Sequence, residues 1–281
     1  MKKLNKFLEW FVLLFCTGTV LLFLGVILYD LVVKGAPALS WDFISSQPEK
    51  AMTAGGILPA IVGTIFLTLL TALFCIPFGI CCAIYLNEYA ADGWLTRVIR
   101  ASIRNLSGIP SIIYGLFGLA LFVQGLGLGT SMLSAGLTLG LLSLPYIITT
   151  TEEALRRIPN STREAALGIG ATQYESIRDV VLPSALPGIL TGVVLTLSRA
   201  AGETAPILFT GVAFFITGSS VSINQEFMAL PYHLYMLSTQ HQSIQQVRPL
   251  AYGTALVLIC VVFFLSLTAF YIRHQYSKNE R

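Results

Sequence analysis

The chain has 281 residues, 55% of them hydrophobic and 11% charged, with a formal net charge of +3. Soluble domains carry about 25% charged residues, so this composition argues against a water-soluble enzyme and puts the chain in a membrane. The positive excess is too small and too dispersed for a nucleic-acid surface.

A spanning helix needs about 20 mostly apolar residues, and six stretches reach that length: residues 10–33, 57–86, 102–123, 131–150, 186–215 and 249–272. The expected fold is all-α, a polytopic bundle. Lys2, Lys3 and Lys6 precede the first stretch as in a secretory signal, and Ala36-Pro37-Ala38 resembles a cleavage site. The apolar run is about twice the length of a signal core, so it reads as a retained anchor. Residues 1–56 then form an anchor helix with an outer loop, and residues 57–281 the transmembrane domain.

Cytoplasmic loops hold the excess of Lys and Arg. With the N-terminus inside, Lys2, Lys3, Lys6, Arg97, Arg100, Arg104, Arg156, Arg157, Arg163, Arg178, Arg273, Lys278 and Arg281 face the cytoplasm, against Lys34, Lys50 and Arg248 outside. This count puts both termini in the cytoplasm. Cys16, Cys75, Cys81, Cys82 and Cys260 all fall inside apolar runs and read as small buried hydrophobes, not as a disulfide or metal framework. Gly136 and Gly140, and Gly188 and Gly192, have the spacing that lets helices approach closely. Pro59, Pro77, Pro110, Pro145 and Pro206 interrupt the apolar runs, which is tolerated only where protein or a watery cavity satisfies the freed backbone.

The cytoplasmic segment 151–185 contains NSTREAALGIGATQYESIRDVVLP. Asn160 and Ser161 are good helix caps, Gly168 and Gly170 end the first helix, and a second stretch puts Tyr174, Ile177 and Val181 on one face before Pro183 stops it. A helix, a glycine hinge and a second helix suit docking into a partner's groove. Glu164, Ala165, Ala166, Gly170, Val180, Leu182 and Pro183 together resemble the EAA signature of the membrane subunits of ABC importers, with Val180 where Ile is commonest. The resemblance implies a six-helix ABC-importer permease bundle in which these residues seat an ATP-hydrolysing subunit.

The fifth stretch contains SRAAGETAP. From Gly188 to Arg199 is eleven steps, about 17 Å of helix, which puts Arg199 just past the middle of a hydrocarbon core about 30 Å thick. A lone Arg at that depth costs at least about 2.5–3.5 kcal/mol, so its face must meet protein or water. Glu203 lies one turn on, able to shield it, although Arg before Glu is the poorer order. The guanidinium fork fits an oxyanion, while Ser198 and Thr204 add hydroxyls. Two readings stand for this pair: a gate at which an arriving anion competes with Glu203 for Arg199, or an ion pair that only orients the helix.

SRAAGETAPILFTG resembles the corresponding segment of the permease subunits of phosphate-specific ABC importers. Residues 54–68, 104–123 and 228–241 resemble the PstA-type subunit, the last stretch separating it from its PstC-type sister. The resemblance implies a phosphate importer in which this chain pairs with a PstC-type subunit, two PstB-type ATPases and a PstS-type phosphate-binding protein. The chain would bind no cofactor itself, ATP being used by the partners, and it has no Walker loop. Sulfate or molybdate remain alternative cargoes, and a signalling scaffold is the rival from another class. An intramembrane enzyme is disfavoured because no nucleophile and base share a plausible spacing.

His233, His241 and His274 are too scattered for a metal site. Leu230, Pro231, Tyr232, Leu234 and Tyr235 fit either a contact with the binding protein or an interface anchor. Glu88 and Asp92, with Arg97, Arg100 and Arg104, read as a solvated inner loop, and Arg156 and Arg157 as headgroup contacts or the inner mouth of the path.

Overall fold

The computed structural model describes residues 2–49, 52–216 and 222–279; Lys50 and Arg281 of the charge count lie outside them. The first apolar run forms one helix, α1 (Lys2–Gly35), with none of its apolar window buried against protein. A helix that is apolar on all sides has the character of a membrane span. It joins the bundle at its end, where Gly35 lies against Tyr252 and Leu256 and Lys34, paired with Asp30 at 2.6 Å, sits over the Tyr252 ring.

A short helix α2 (Trp41–Ser45), capped by the Ser40 hydroxyl, leads into a two-residue hairpin, β1 (Pro48–Glu49) and β2 (Ala54–Gly55), with Pro48 opposite Gly55. Phe43, Met52 and Ile57 fold from here into a core shared with Met228, Leu230, Leu237 and Val247.

The second run is α3 (Leu58–Ile84), extended by a π-helical turn over Tyr85–Tyr89. The third is not one straight span. α4 (Trp94–Leu106) and α5 (Ser111–Gly118), the latter continued by a π turn to Gly125, meet at 102°. Ser107-Gly108-Ile109-Pro110 stops α4, because Pro110 has no N–H to continue the ladder. Two hydroxyls close the elbow: Tyr114 donates to the Leu106 carbonyl and Tyr146 to that of Ser107, both at 2.9 Å.

The fourth run, α6 (Met132–Arg156), is the hub, with two thirds of its apolar window buried. The glycine spacing does what it implies. A Cβ at Gly136 or Gly140 would collide with Leu70 or Phe74 of α3, and one at Gly188 or Gly192 with Ala154 or Thr150 of α6. Buried Thr64, Thr68, Thr71, Thr138 and Thr196 each return a hydroxyl to the carbonyl four residues back, which satisfies polar groups away from water.

The prolines divide by role. Pro59, Pro110 and Pro206 stand at helix starts, where the missing N–H costs nothing, whereas Pro77 and Pro145 lie inside continuous helices. Of the cysteines only Cys75 is buried; Cys82 is half-buried, and Cys16, Cys81 and Cys260 are exposed, contrary to the expectation that all five are buried.

After α6 come α7 (Asn160–Gly168), α8 (Gln173–Glu175), a π turn (Ser176–Val181) and α9 (Leu182–Ala200). The fifth run therefore ends at Ala200, and the chain turns into α10 (Ala205–Leu208). The chain then returns to the bundle as α11 (Leu230–Thr239), before α12 (Ile244–Asn279). Leu230 and Pro231 are buried and the Leu230 N–H donates to Thr64 at 2.8 Å, so these two anchor the segment inwards and leave Tyr235 exposed. Among the described residues five helices are long and apolar enough to cross a membrane, or six with the bent pair.

α11 also sets a pH response. His233 is 4% exposed, and burial pulls its imidazole down to about 4. The unfolded chain takes up that proton near pH 6.5, so the contribution is complete above pH 6.5 and is lost as pH falls towards 4. Between pH 7 and 5 the loss is about 2 kcal/mol. His233→Leu is expected to flatten the fall in thermal midpoint over that range, and a parallel fall in both proteins would refute the assignment.

Candidate functional site

The last turn of α9 carries Arg199, and the break after Ala200 aims it across the bundle. Gly202 and Glu203 donate their N–H groups to Arg199 and Ala200 at 3.0 and 3.2 Å, closing the helix end and folding Glu203 back. The pair expected from the spacing forms, with Nε of Arg199 3.3 Å from Oε1 of Glu203. The Arg199 side chain is 49% exposed and that of Glu203 17%. A cation is also favoured at a helix C-terminus by the backbone dipoles.

Arg199 lies at the end of its helix, not midway along it. It nonetheless reaches the middle of another helix, because the guanidinium carbon is 4.3 Å from the ring centroid of Tyr146, near the midpoint of α6. Tyr146 completes the site and was not singled out in the sequence. The only signal for it was an aromatic residue directly after Pro145 in the middle of an apolar run. Its ring holds the cation while its hydroxyl holds the α4–α5 elbow at Ser107, so one side chain joins the elbow to the charge pair.

Ser198 is not part of this cluster. Its hydroxyl is 2.7 Å from that of Ser266 on α12, which itself donates to the Val262 carbonyl; one residue is about 100° of helix rotation, which turns Ser198 away from the Arg199 face. Thr204 begins α10, where its side chain makes no cap. α10 in turn packs against Gly115 of α5, at which a Cβ would lie 3.0 Å from the Ala205 carbonyl.

Two substitutions separate the roles of Tyr146. Tyr146→Phe keeps the ring and loses one hydrogen bond, a cost of about 1 kcal/mol. Tyr146→Leu also loses the cation–π contact, adding about 1–2 kcal/mol. The expected result is a modest fall in thermal midpoint for both, with binding or passage of an anion impaired only in Tyr146→Leu. Equal impairment by both would assign the effect to the elbow.

The second cluster is the loop of residues 151–185. Glu164, Ala165 and Ala166 lie in α7, with Ala166 buried, and Gly170 has φ +95, where a side chain would be strained. Ile169 and Tyr174 are 89% and 62% exposed, forming an apolar tip. The caps differ from expectation: α7 starts at Pro159 with no side-chain cap, while Thr172 and Glu175 form a capping box that opens α8, matching the Thr-x-x-Glu signature. Val180, Leu182 and Pro183 lie where the π turn passes into α9. Pro183 does not stop the helix, because the wider turn just before it relieves the clash that a proline ring makes with the carbonyl four residues back. That widening also rotates the face, burying Ile177 and Val181 and exposing Tyr174.

Arg157 borders a cleft of about 430 Å³ between α6 and α9, together with Thr150, Glu153, Gly188 and Thr191. Arg156 sits 3.9 Å from Glu152.

Known proteins resemble the chain in sequence and in fold. A family profile described as "Binding-protein-dependent transport system inner membrane component" matches residues 75–277. The chain is 37% identical to the "Phosphate transport system permease protein PstA" of Xylella fastidiosa, over 85% of this chain and 82% of that one. It is 31% identical to the "Probable ABC transporter permease protein YqgI" of Bacillus subtilis, over 85% of each. Among solved structures, a bacterial alginate ABC transporter crystallised with an alginate-bound periplasmic protein superposes with a TM-score of 0.67, at 16% identity over 96% of both chains, a likeness of fold.

Proposed function

The chain belongs to the family of binding-protein-dependent transport system inner membrane components, and from that premise we propose that it is the PstA-type permease subunit of an ATP-driven importer of inorganic phosphate. Membership makes it a multi-pass inner-membrane protein that works with a binding protein and an ATPase. The finer assembly we propose is a PstC-type sister subunit, two PstB-type ATPases under the loop of residues 151–185 and a PstS-type protein outside. Both termini would be cytoplasmic.

The observation that supports the cargo best is the half-exposed guanidinium of Arg199, held between Tyr146 and Glu203 at the broken end of a membrane helix. Irregular backbone at membrane depth belongs where it lines a cavity, and helix breaks of this kind form ion and substrate sites in transporters. In the proposed cycle an arriving anion takes donors of Arg199, and Glu203 recovers the cation as the anion leaves. Thr204 supplies a hydroxyl beside them. Ser198 is left out, since its hydroxyl is committed to Ser266.

The test is ATP-dependent accumulation of labelled phosphate in vesicles containing this chain with its three partner types, with unlabelled sulfate as competitor. Accumulation that resists sulfate is expected. Displacement by sulfate would transfer the cargo to another oxyanion, and an assembled, ATP-hydrolysing complex that accumulates nothing would overturn the cargo.

A further inference from the structure

Both arms of the cytoplasmic loop end on one residue of α3's terminal turn. Glu88, with a side chain only 6% exposed, accepts two hydrogen bonds from Arg163 of α7, from Nε at 3.0 Å and Nη2 at 2.7 Å. Its backbone carbonyl accepts a third from the side chain of Gln173, the first residue of α8, at 2.7 Å. Arg163 also donates to the Leu155 and Ile158 carbonyls at the end of α6, at 3.0 and 2.8 Å. In the same turn the Leu86 carbonyl accepts from Arg100 of α4, whose Nε is 3.0 Å from Glu152 of α6. Five helices thus meet at a turn of five residues.

The chemistry of the junction is specific. Only a guanidinium can fill a bidentate carboxylate contact and two carbonyls together, and a buried carboxylate deprived of it is left uncompensated. π-helical turns also recur at functional positions. Beyond the apolar seats of Ala166 and Ile177, this junction is what ties the two arms on either side of Gly168 and Gly170 to α3. With it, a displacement of α7 or α8 is passed to α3 and α6. Glu152 lies six residues from Tyr146 on α6, so α6 leads from the junction to the ring that holds Arg199.

We propose that Glu88 is a positioning residue that makes the coupling loop move as one body with the inner ends of α3 and α6, so that ATPase motion reaches the Tyr146–Arg199 pair. The inference rests on the reading of this loop as the ATPase seat. It replaces the view of Glu88 and Arg100 as solvated charges.

The test uses the complete reconstituted transporter with Glu88→Gln, Arg163→Gln, Arg163→Lys and Gln173→Ala. Two quantities are read: phosphate accumulated per ATP hydrolysed, and the distance distribution between spin labels at Ala91→Cys and Ser161→Cys, both exposed positions. Glu88→Gln and Arg163→Gln are expected to keep ATP hydrolysis within about twofold while transport per ATP falls at least about tenfold, with a broadened label distance; Arg163→Lys should fall between. Should the two Gln variants fail to assemble, Gln173→Ala, which leaves no buried charge, decides by whether the label distance broadens. Unchanged coupling and unchanged distances would overturn the proposal. The label readout needs no cargo, so broadening in a complex that moves no phosphate would keep the junction and discard the cargo.

Discussion

Replacing Arg199 with glutamine is expected to lower ATP-dependent phosphate accumulation by at least about a hundredfold while the assembled complex still hydrolyses ATP. Two charge-assisted hydrogen bonds from the guanidinium to an oxyanion amount to about 3–6 kcal/mol, and each 1.4 kcal/mol is about a factor of ten. The geometry supports this use of the side chain: Tyr146 supports its face at 4.3 Å and Glu203 engages Nε, with half of the side chain still exposed. Arg199→Lys keeps the charge and loses the fork, and should recover about a tenth of the activity or less. Glu203→Gln removes the competing carboxylate, so the anion is held longer and uptake slows although binding persists; unchanged uptake would mean that Glu203 does not compete with the anion for Arg199. The double variant Arg199→Gln with Glu203→Gln leaves no unpaired charge and controls for loss of folding. Uptake by Arg199→Gln at the unmodified rate would leave the pair an orienting ion pair only.

Much of this site follows from local spacing, and what does not depends on contacts across helices. The Arg199–Glu203 pair is four residues apart, so helical geometry joins it. Tyr146 comes from another helix and looks in isolation like one more apolar position; its role emerges only where α9 stops beside the middle of α6. Ser198 shows the complementary case, since one residue is about 100° of helix rotation and its hydroxyl meets Ser266 instead. For the fold, apolar length sufficed for α1, α3, α6 and α12. It missed the elbow between α4 and α5, although Pro110 interrupts the run, because the hydrophobic stretch continues through the bend. Extension of α9 back through the π turn had no local cue, as a proline at position 183 ordinarily argues for a stop. The Glu88–Arg163 junction was hidden because charges flanking membrane spans have a ready explanation in topology.

Substitution of Gly192 by valine should cause a large structural defect, and a transport defect larger still. A Cβ at this position would lie 2.6 Å from Cβ of Thr150 and closer still to its hydroxyl, whose own hydrogen bond runs to the Tyr146 carbonyl at 2.8 Å. Gly188 faces Ala154 at 2.8 Å one turn away, so α9 cannot pivot off one contact and keep the other. Overpacking of this kind costs about 1–3 kcal/mol, which for a chain of this size corresponds to a fall of about 3–10 °C in thermal midpoint. Transport suffers beyond that because α9 carries Arg199 two turns past Gly192, and α6 carries Tyr146 one turn before Thr150; separating the helices opens the contact that holds the guanidinium. Moving the small residue across the interface tests this directly. Thr150→Gly with Gly192→Ala keeps one glycine at the crossing, and the added Thr150→Gly costs only about 0.3 kcal/mol of helix propensity, so the double variant should regain most of the midpoint and of the uptake that Gly192→Ala alone loses. If the double variant stays as impaired as the single one, the close approach of α6 and α9 is not what aligns Arg199, and the alignment must come from the α10 contact with Gly115 instead.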